Sequence, residues 1–442
     1  MQLSHYLKIY QLEERPGQRL LFSTKRASMV LLDDEKYDSI GNGSLSPSDE
    51  AALLSIGMLT PDREEEKREV SSMLDRLNAN NTGLNLAVFI NLDCNFACPY
   101  CYEGGLKGKI VMSDETADLL IAFIKEKFGI SGPGGAGKTA LNLDFYGGEP
   151  LLSLGLIKRI CSELKAFTEA RGAEFTFSLV TNGSLFRRRV AEELYPLGLR
   201  RAKITLDGPA ETHNISRPFK SGAASFDIII NNIKETCDIV KIGIGGNFTR
   251  DNHEKFLDLI SYLKAGGLTP DKLPQIKFDP VLGRPPGDTG SVEYVDACMS
   301  VNEPWVTKAG DLLREAILQA GYATPRITPM PCQVELRNAY VVNHDGVVYK
   351  CPALIGRKGF EIGDVKSGIT DYTVSHRVGI WKNEECLACE YLPLCFGGCR
   401  YMAYVRDGNI DNPDCKRPYL DASLEGLVKQ DIKYSGKANS KF

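Results

Sequence analysis

The sequence contains no run of about 18 consecutive apolar residues, which is the length that a membrane-spanning helix requires. Acidic and polar residues interrupt the N-terminal segment MQLSHYLKIYQLEERPG before any apolar stretch long enough for a signal peptide. A large excess of charge is also lacking, because the net charge of the 442 residues is only −4. These absences predict a cytoplasmic protein with neither a membrane nor a nucleic acid as partner.

Cysteine, in contrast, is abundant, with 13 copies. Disulfides are rare in the reducing cytosol, so closely spaced thiols there indicate metal ligands or catalytic groups. Cys161, Cys237 and Cys298 stand alone, and the first two lie on predicted helices, where ordinary apolar packing is expected. The other ten cysteines form two groups, one near residue 100 and one between residues 332 and 415.

The pattern of strands and helices divides the chain into three regions. Residues 1–82 predict three short strands, helices over residues 47–56 and 62–77, and a polar linker. Residues 83–325 alternate strand and helix, which is typical of a parallel sheet covered by helices and closed into a partial barrel. Residues 326–442 are rich in loops and cysteine and short of long helices, as expected where metal replaces a hydrophobic core. The six predicted barrel strands cover residues 84–92, 141–145, 175–180, 201–206, 241–247 and 275–281.

The first cysteine group, Cys94, Cys98 and Cys101, has the spacing C-x3-C-x2-C and directly follows the first barrel strand. Loops in this position open at the carboxyl ends of the strands, where α/β folds place their chemistry. A structural zinc ion requires four ligands, and neither a histidine nor a fourth cysteine is nearby. A [4Fe–4S] cluster has four irons, so three thiolates leave one iron free for an external amine and carboxylate.

This spacing, with the aromatic Tyr100 before the last cysteine, resembles the hallmark of the radical S-adenosylmethionine (SAM) superfamily, and the resemblance extends over residues 84–285. It implies an enzyme in which Cys94, Cys98 and Cys101 bind a [4Fe–4S] cluster whose open iron takes SAM. It also implies a set of residues that contact SAM. Gly147, Gly148 and Glu149 of FYGGEP would hold the amino group of SAM, and Asn182 of TNG would line the cofactor cleft. Thr205 and Arg217 of TLDGPAETHNISR would contact SAM, and Arg217 would pair with its carboxylate.

Some features of these motifs leave alternatives open. The family often has serine at the position of Thr205, and Asp207 and His213 fit either a role near the cofactor or a cap in a turn. GPGGAGKT at residues 132–139 matches the phosphate-binding-loop pattern, but that loop works between a strand and a following helix. Because a helix precedes this segment and a strand follows it, we interpret it as a flexible surface loop.

The second group contains seven cysteines on a loop-rich segment, too many for one tetrahedral zinc ion and one short of two closed four-ligand clusters. Two zinc sites remain an alternative. The spacing, which includes Gly346, resembles that of the SPASM domain, the auxiliary-cluster module of radical enzymes that modify peptides. The resemblance implies two auxiliary [4Fe–4S] clusters, hence three clusters in all, the first on Cys332, Cys351 and Cys399 and the second on Cys386, Cys389, Cys395 and Cys415.

The first auxiliary cluster has one ligand fewer than the second. Relatives that complete it carry a cysteine a few residues before the position of Cys332, where this chain has ITPMP. We therefore predict an open iron that can bind a substrate thiolate, with Cys298 as the alternative fourth ligand.

Two branches of SPASM enzymes fit this architecture. Anaerobic sulfatase-maturing enzymes, which form formylglycine, use an aspartate immediately after the second cysteine of the domain, where this chain has Pro352. Maturases of ribosomally made natural products often carry an N-terminal winged-helix-like module that binds a precursor's leader as an added strand, and residues 1–82 suit that module. The resemblance therefore favours a peptide maturase that joins a cysteine sulfur to a carbon of another residue as a thioether, reduced by a flavodoxin- or ferredoxin-type electron donor.

Carbon–carbon crosslinking and epimerisation are alternatives within the same class, and formylglycine formation is the alternative from the other branch. A non-catalytic iron–sulfur electron carrier is an alternative of a different class. Because an electron carrier needs no cleft for SAM, the Gly-Gly-Glu motif with Thr205 and Arg217 argues against it. The predicted fold is α/β, a partial (β/α)6 TIM-like barrel over residues 83–325 between a winged-helix-like module (1–82) and a C-terminal Cys-rich iron–sulfur SPASM domain (326–442).

Overall fold

The structure is a computed structural model that describes residues 1–130, 137–285 and 297–438, with side chains up to residue 434. Residues 1–82, here called the N-terminal module, place an antiparallel sheet before most of their helices. In chain order the elements are β1 (Gln2–Leu3), β2 (Leu7–Gln11), β3 (Gln18–Ser23), β4 (Ser28–Asp33), α1 (Asp34–Gly41), α2 (Pro47–Ser55), β5 (Leu59–Thr60), α3 (Arg63–Ser71) and α4 (Met73–Asn80). Strands β2, β3 and β4 pair in that order, and β1 pairs with β5 as a separate ribbon.

Local signals explain where the helices of this module begin and end. Helix α2 begins after Ser46, whose hydroxyl accepts a hydrogen bond from the amide of Asp49. The segment 62–77, which the sequence predicts as one helix, is instead divided between α3 and α4. The division occurs at Ser72, whose amide bonds to the carbonyls of Arg68 and Val70 and so closes the last turn of α3.

The barrel region contains six parallel strands that pair in sequence order, as predicted. Each strand of such a sheet is joined to the next by a crossover that carries a helix onto the outer face. The strands are β6 (Gly83–Phe89), β7 (Ala140–Tyr146), β8 (Glu174–Thr181), β9 (Leu199–Thr205), β10 (Lys241–Phe248) and β11 (Gln275–Pro280). The helices are α5 (Asp114–Gly129), α6 (Leu154–Glu169), α7 (Arg188–Leu194), α8 (Ala210–Ser216), α9 (Phe226–Thr236), α10 (Lys255–Ala265) and α11 (Pro304–Gln319).

The two faces of this sheet differ in chemistry because successive side chains on a strand point to opposite sides. On β6, Leu84, Leu86 and Val88 join the apolar core that the outer helices cover. On the other face, the amide of Asn142 donates to Asn85 Oδ1 over 3.1 Å, and Thr176 donates to Asn142 Oδ1 over 2.7 Å. The inner wall of the barrel is therefore polar, while the helices bury the apolar face.

The C-terminal region continues the same sheet. Its first strand pairs in parallel with β6, and three further antiparallel strands follow, so the large sheet has ten strands among the described residues. The cysteine-rich segment is thereby attached to the first barrel strand. The elements are β12 (Ala339–Val342), β13 (Val347–Tyr349), β14 (Glu361–Asp364), β15 (Gly368–Ile369), α12 (Glu384–Leu387), α13 (Leu392–Cys395), α14 (Arg400–Asp407) and α15 (Arg417–Ala438).

The expectation that this region lacks long helices is wrong, because α15 has 22 residues. It packs along α11, where Arg314 and Asp431 form a buried ion pair of 2.7 Å. Its apolar side, with Leu420, Leu424 and Val428, joins a cluster with residues of β3 in the N-terminal module. An ordinary hydrophobic core therefore holds this helix, where the sequence suggests that metal replaces such a core.

Two further expectations concern individual segments. Residues 132–136 of the phosphate-loop-like motif lie outside the described residues, but α5 precedes the motif and β7 follows it, which is the reverse of a phosphate-binding loop. No helix in the described ranges combines the length and apolar character needed to cross a bilayer.

Candidate cofactor and cluster sites

The loop that follows β6 carries Cys94, Cys98 and Cys101. Paired backbone hydrogen bonds close its base, from Leu92 N to Ile110 O and from Met112 N to Ile90 O, both 2.9 Å. Cys94 is buried, and its sulfur accepts a hydrogen bond from the Phe96 amide over 3.4 Å. The structure thus holds all three predicted thiols on one anchored loop at the carboxyl end of the sheet.

These thiols lie close enough to influence one another. Burial raises the pKa of Cys94 to about 11, and the neighbouring Cys98 adds to the effect. Burial likewise raises the pKa of Cys101, again with a contribution from Cys98. Cys94 and Cys101 are therefore protonated at neutral pH until a metal displaces the protons, which couples cluster binding to proton release.

In the part of the chain that the structure describes, no group of three His, Cys, Asp or Glu side chains converges on a point where one metal ion would sit. A four-iron cluster does not require such convergence, because each thiolate binds a different iron. The donor set on this loop, three sulfurs without histidine or carboxylate, therefore fits an iron–sulfur cluster with one open iron.

Glu149 lies fully buried at the end of β7, beside this loop. Its carboxylate accepts hydrogen bonds from Thr181 Oγ1 (2.7 Å), Asn182 N (2.8 Å) and Leu151 N (3.1 Å). Burial raises the pKa of Glu149, and these hydrogen bonds and Arg217 oppose that rise. A carboxylate has about four acceptor positions, so one remains that can accept an ammonium group.

The two glycines before Glu149 pack against the cysteine loop. A Cβ at Gly147 would lie 2.3 Å from the carbonyl oxygen of Asn91, and one at Gly148 would lie 2.2 Å from that of Asp93. The amide of Glu149 donates to the same Asp93 oxygen over 2.7 Å. The close approach that glycine permits here therefore joins β7 to the loop that carries Cys94.

Asn182, at the end of β8, bridges the same two segments. Its side-chain nitrogen Nδ2 donates to Asn95 Oδ1 over 2.8 Å and lies 4.0 Å from the sulfur of Cys94. The structure thus brings Glu149 and Asn182 together with the cysteine loop, as the sequence predicts.

Arg217 lies in a second buried cluster with Tyr100 and Asp207. Its Nη1 donates to the Tyr100 hydroxyl over 2.5 Å, and the Tyr100 hydroxyl donates to Asp207. The guanidinium also lies 3.7 Å from the Asp207 carboxylate, while its Nε is buried with no partner in the described ranges. Burial opposes the charge of Arg217, but Tyr100, Cys98 and Asp207 outweigh it and hold the pKa well above its usual range. A fixed cation with an unused donor suits a carboxylate ligand.

His213 and Ser225 extend this cluster into a closed ring. The amide of Asp207 donates to His213 Nδ1 over 3.1 Å, and Ser225 Oγ donates to the Arg217 carbonyl over 2.7 Å. The 3.1 Å contact between His213 Nε2 and Ser225 Oγ therefore has the histidine as donor. Burial lowers the pKa of His213 to about 3, so its imidazole stays neutral. His213 thus caps the turn at Asp207 and is linked through Ser225 to the backbone of Arg217, and a role of either residue near the cofactor stays a prediction.

Thr205 ends β9, where it pairs in register with Gly245 of β10. It is half-buried and comes two residues before Asp207. Its position at the carboxyl edge of the sheet is the predicted one, and its contact with a cofactor stays a prediction.

The seven C-terminal cysteines separate into two sets in space. Burial raises the pKa of Cys351, and Cys332 and then Cys399 raise it further. Burial raises the pKa of Cys386 in the same way, with further contributions from Cys395, Cys415 and Cys389. The structure thus places Cys332 and Cys399 near Cys351, and Cys389, Cys395 and Cys415 near Cys386, while the division of these residues between two auxiliary clusters stays a prediction.

Cys298 is fully buried in an apolar cluster against which Cys351 and Cys399 also pack. Burial raises the pKa of Cys298 to about 12, followed by a contribution from Glu303. The carboxylate of Asp414, which also raises the pKa of Cys399, contributes as well.

Comparison with known proteins bears on the barrel region. Residues 88–263 match the family model of the Radical SAM superfamily. The chain contains a radical SAM domain. Such a domain binds SAM and a [4Fe–4S] cluster.

Proteins similar to this chain include structures solved with AdoMet or with a precursor peptide bound. The chain is 22% identical over 378 residues to the radical SAM cyclopropyl synthase TigE of Paramaledivibacter caminithermalis, which covers 79% of this chain and 73% of TigE. The fold is similar to that of anSMEcpe with bound AdoMet, with a TM-score of 0.60, 18% identity and coverage of 81% of this chain and 96% of the other. It is also similar to Streptococcus suis SuiB bound to the precursor peptide SuiA, with a TM-score of 0.53, 14% identity and coverage of 94% and 98%.

Two residues around the radical SAM domain's site have no signal in the sequence. The backbone amide of Asn247 donates to Asp207 over 2.8 Å. Lys107 lies among the three thiols: burial lowers its pKa, but Cys101, Cys94 and Cys98 outweigh burial and raise it overall. Neither residue belongs to a spaced motif, so only the position of each in the fold associates it with the site.

Proposed function

We propose that this radical SAM enzyme matures a ribosomally made precursor peptide by joining a cysteine sulfur to a carbon of another residue as a thioether. The observation that carries the proposal is the set of three thiols, in which Cys332 and Cys399 both lie near enough to Cys351 to raise its pKa. Three thiolates on a [4Fe–4S] cluster leave an iron that can bind a substrate thiolate.

Cys298 stays the alternative fourth ligand of this first auxiliary cluster, because Cys351 and Cys399 pack against the apolar cluster that contains it. Its sulfur is buried in an apolar cluster, and its charged neighbours are Glu303 and Asp414. We propose that Cys386, Cys389, Cys395 and Cys415 hold the second auxiliary cluster, which has its four ligands and therefore serves electron transfer alone. A flavodoxin- or ferredoxin-type protein is the proposed electron donor.

In the barrel, we propose that Cys94, Cys98 and Cys101 bind the cluster that holds SAM, that Glu149 binds the amino group of SAM, and that Arg217 binds its carboxylate. When bound, SAM and a reduced cluster would supply the means to remove a hydrogen atom from an unactivated carbon, and an auxiliary cluster would supply an acceptor for the one electron released. The residues of this chain orient the cofactor. Thr181 and Asn182 hold the Glu149 carboxylate, and Tyr100 and Asp207 hold the Arg217 guanidinium.

We propose that the N-terminal module binds the precursor's leader as a strand added to β4. Within the described residues, β4 has a strand partner on one side only. The opposite edge of that sheet, at β2, is already occupied, because Lys8 forms a 2.8 Å ion pair with Glu390 of the C-terminal region. Main-chain hydrogen bonds along a free edge provide affinity with little demand on sequence, as leader recognition requires.

The leader proposal is tested by hydrogen exchange. Addition of a precursor peptide encoded beside the gene is expected to slow amide exchange in residues 28–33 and to leave residues 7–11 unchanged, because only the β4 edge would gain hydrogen bonds. Protection confined to residues 7–11, or to the barrel, would contradict this arrangement.

The activity is tested by incubating the iron-loaded, reduced enzyme with SAM and the same peptide. A thioether is expected to make the peptide about 2 Da lighter, because one hydrogen leaves as an atom and one as a proton. The modified cysteine is also expected to resist alkylation by iodoacetamide. The Cys332→Ala variant, which removes a first-set ligand and keeps the barrel cysteines, is expected to cleave SAM without forming the product.

A second candidate is carbon–carbon bond formation, favoured by the similarity to the cyclopropyl synthase TigE. It would give the same mass loss, but every cysteine of the peptide would remain open to alkylation. Epimerisation would leave the mass unchanged in ordinary water and add deuterium from heavy water. The aspartate expected in an enzyme that forms formylglycine is missing here, because Pro352 follows Cys351.

A further inference from the structure

The hydroxyl of Tyr6, in the N-terminal module, is a buried polar group that has no hydrogen-bond partner in the described ranges. The whole side chain is inaccessible, with 0% of its surface exposed. Buried hydroxyl groups are nearly always hydrogen-bonded, so a buried hydroxyl without a partner indicates an acceptor that the polypeptide itself does not supply.

The backbone on both sides places Tyr6 against the segment that carries Cys389. His5 Nε2 lies 3.1 Å from the carbonyl oxygen of Ala388. The hydroxyl of Thr24 reaches both the Tyr6 carbonyl, over 3.2 Å, and the Glu390 carbonyl, over 2.6 Å. Residues 5 and 6 are therefore held against the segment 388–390, whose middle residue is Cys389.

The side-chain contacts agree with this placement. The ring of Tyr6 belongs to an apolar cluster with Leu392 and Phe396, against which Cys386 packs. Burial raises the pKa of Tyr6, and Glu66 and then Cys389 raise it further, as a nearby sulfur would. The Glu66 carboxylate is already occupied, because it accepts from Ser4 and the His5 amide and pairs with Lys25.

The four cysteines of this region fit a closed cluster. Cys395, Cys415 and Cys389 each raise the pKa of Cys386, after the effect of burial, and Cys395 and Cys415 do the same for Cys389. Four sulfurs within reach of one another, without histidine, match the donor set of a [4Fe–4S] cluster.

We infer that the Tyr6 hydroxyl donates a hydrogen bond to an inorganic sulfide of the second auxiliary cluster, beside Cys389, so that the N-terminal module contributes directly to the environment of that cluster. This inference rests on the proposed function, which assigns Cys389 to that cluster. A hydrogen bond to a cluster sulfur stabilises the more negative, reduced state and raises the reduction potential. Because linkage is reciprocal, the oxidation state of the cluster then also changes the free energy with which the N-terminal module binds to the C-terminal region.

The test compares Tyr6→Phe with Tyr10→Phe in the iron-loaded protein. Both tyrosines have a buried hydroxyl without a partner in the part of the chain that the structure describes, and Tyr10 packs against the same apolar cluster as Cys389. Cys389 acts on the pKa of Tyr6, however, whereas the groups that act on the pKa of Tyr10 are Lys8, Tyr391, Glu425 and Glu390. Redox titration followed by electron paramagnetic resonance is expected to show the second auxiliary cluster at a more negative potential in Tyr6→Phe and unchanged in Tyr10→Phe. The Cys415→Ala variant identifies which signal belongs to that cluster.

A spectroscopic measurement on the unaltered protein provides an independent readout. Electron–nuclear double resonance after exchange into heavy water is expected to detect an exchangeable hydrogen coupled to the second auxiliary cluster, and Tyr6→Phe is expected to lose it. Absence of that coupling in the unaltered protein, or an unchanged potential in Tyr6→Phe, would overturn the inference about Tyr6 alone. If Cys415→Ala removes no cluster signal, the assignment of the second cluster in the proposed function is wrong instead.

Discussion

Replacing Arg400 with methionine is expected to destabilise the folded protein by about 3–5 kcal/mol, since it leaves the Glu335 carboxylate buried without its counter-charge. The two side chains form an ion pair of 2.5 Å, with 1% and 4% of their surfaces exposed. Glu335 would keep a hydrogen bond from the Gly379 amide at 3.0 Å, so we expect a value near the lower end of the range. The pair also lies where function is proposed, because Glu335 is three residues after Cys332 and Arg400 directly follows Cys399.

Urea denaturation of the anaerobic, iron-loaded protein measures this loss, with circular dichroism for the fold and visible absorbance for the clusters. The double variant Glu335→Gln/Arg400→Met is expected to recover most of it, because the glutamine carries no charge and still accepts from Gly379. Lys165→Met, which breaks a 2.6 Å pair with Glu169 on the solvent-exposed side of α6, is the matched control and should change little.

The loss is also expected to depend on pH. Burial raises the pKa of Glu335 above its ordinary value of 4.5 even though Arg400 opposes the rise. The native protein therefore binds this proton more tightly than the unfolded chain, and the resulting stability is lost as pH rises above 4.5 through the folded-state pKa. Without Arg400 the pKa rises further, so Arg400→Met should lose less stability at about pH 5 than at about pH 8.

Two results would refute this reasoning. The first is an Arg400→Met protein as stable as the unaltered one at neutral pH. The second is a double variant no more stable than the single one, which would mean that packing of the long side chain, and not its charge, is what matters.

Three further predictions concern the cofactor site. Glu149→Gln is expected to weaken SAM binding by roughly ten- to a hundredfold, corresponding to one charge-assisted hydrogen bond of about 1.5–3 kcal/mol, as measured by calorimetry on the iron-loaded protein. Gly148→Ala is expected to lower iron incorporation, since its Cβ would lie 2.2 Å from the Asp93 carbonyl, whereas Gly155→Ala meets nothing within 4 Å and should leave the iron content unchanged. His213 contributes stability that is present above its ordinary pKa of 6.5 and lost as pH falls towards its folded-state pKa of about 3, so His213→Gln should flatten the pH dependence of unfolding in that interval.

The parts of the fold that depend on neighbouring residues were predictable from the sequence. Apolar residues alternate along β6, and the strand–helix rhythm repeats through β11, so the parallel sheet and its order follow from local pattern and connection rules. The spacing of Cys94, Cys98 and Cys101 lies within one loop, and the same holds for Cys386 and Cys389, so candidate ligand sets could be named without a structure.

Contacts between distant segments decided the rest. The ring around Arg217 joins Tyr100, Asp207, His213 and Ser225 from separate elements, and no single motif contains it. The place of His213 in that ring depends on burial, which the sequence around it does not specify.

The sequence by itself determined the chemistry available to this protein, because ligand type and local spacing are properties of short segments. Only the tertiary structure decided which segments support one another. The pairing of β12 with β6, the docking of the N-terminal module on the segment around Cys389 and the packing of α15 along α11 all join residues far apart in the chain. Such pairings depend on the complementary shape and charge of surfaces that exist only once each segment has folded.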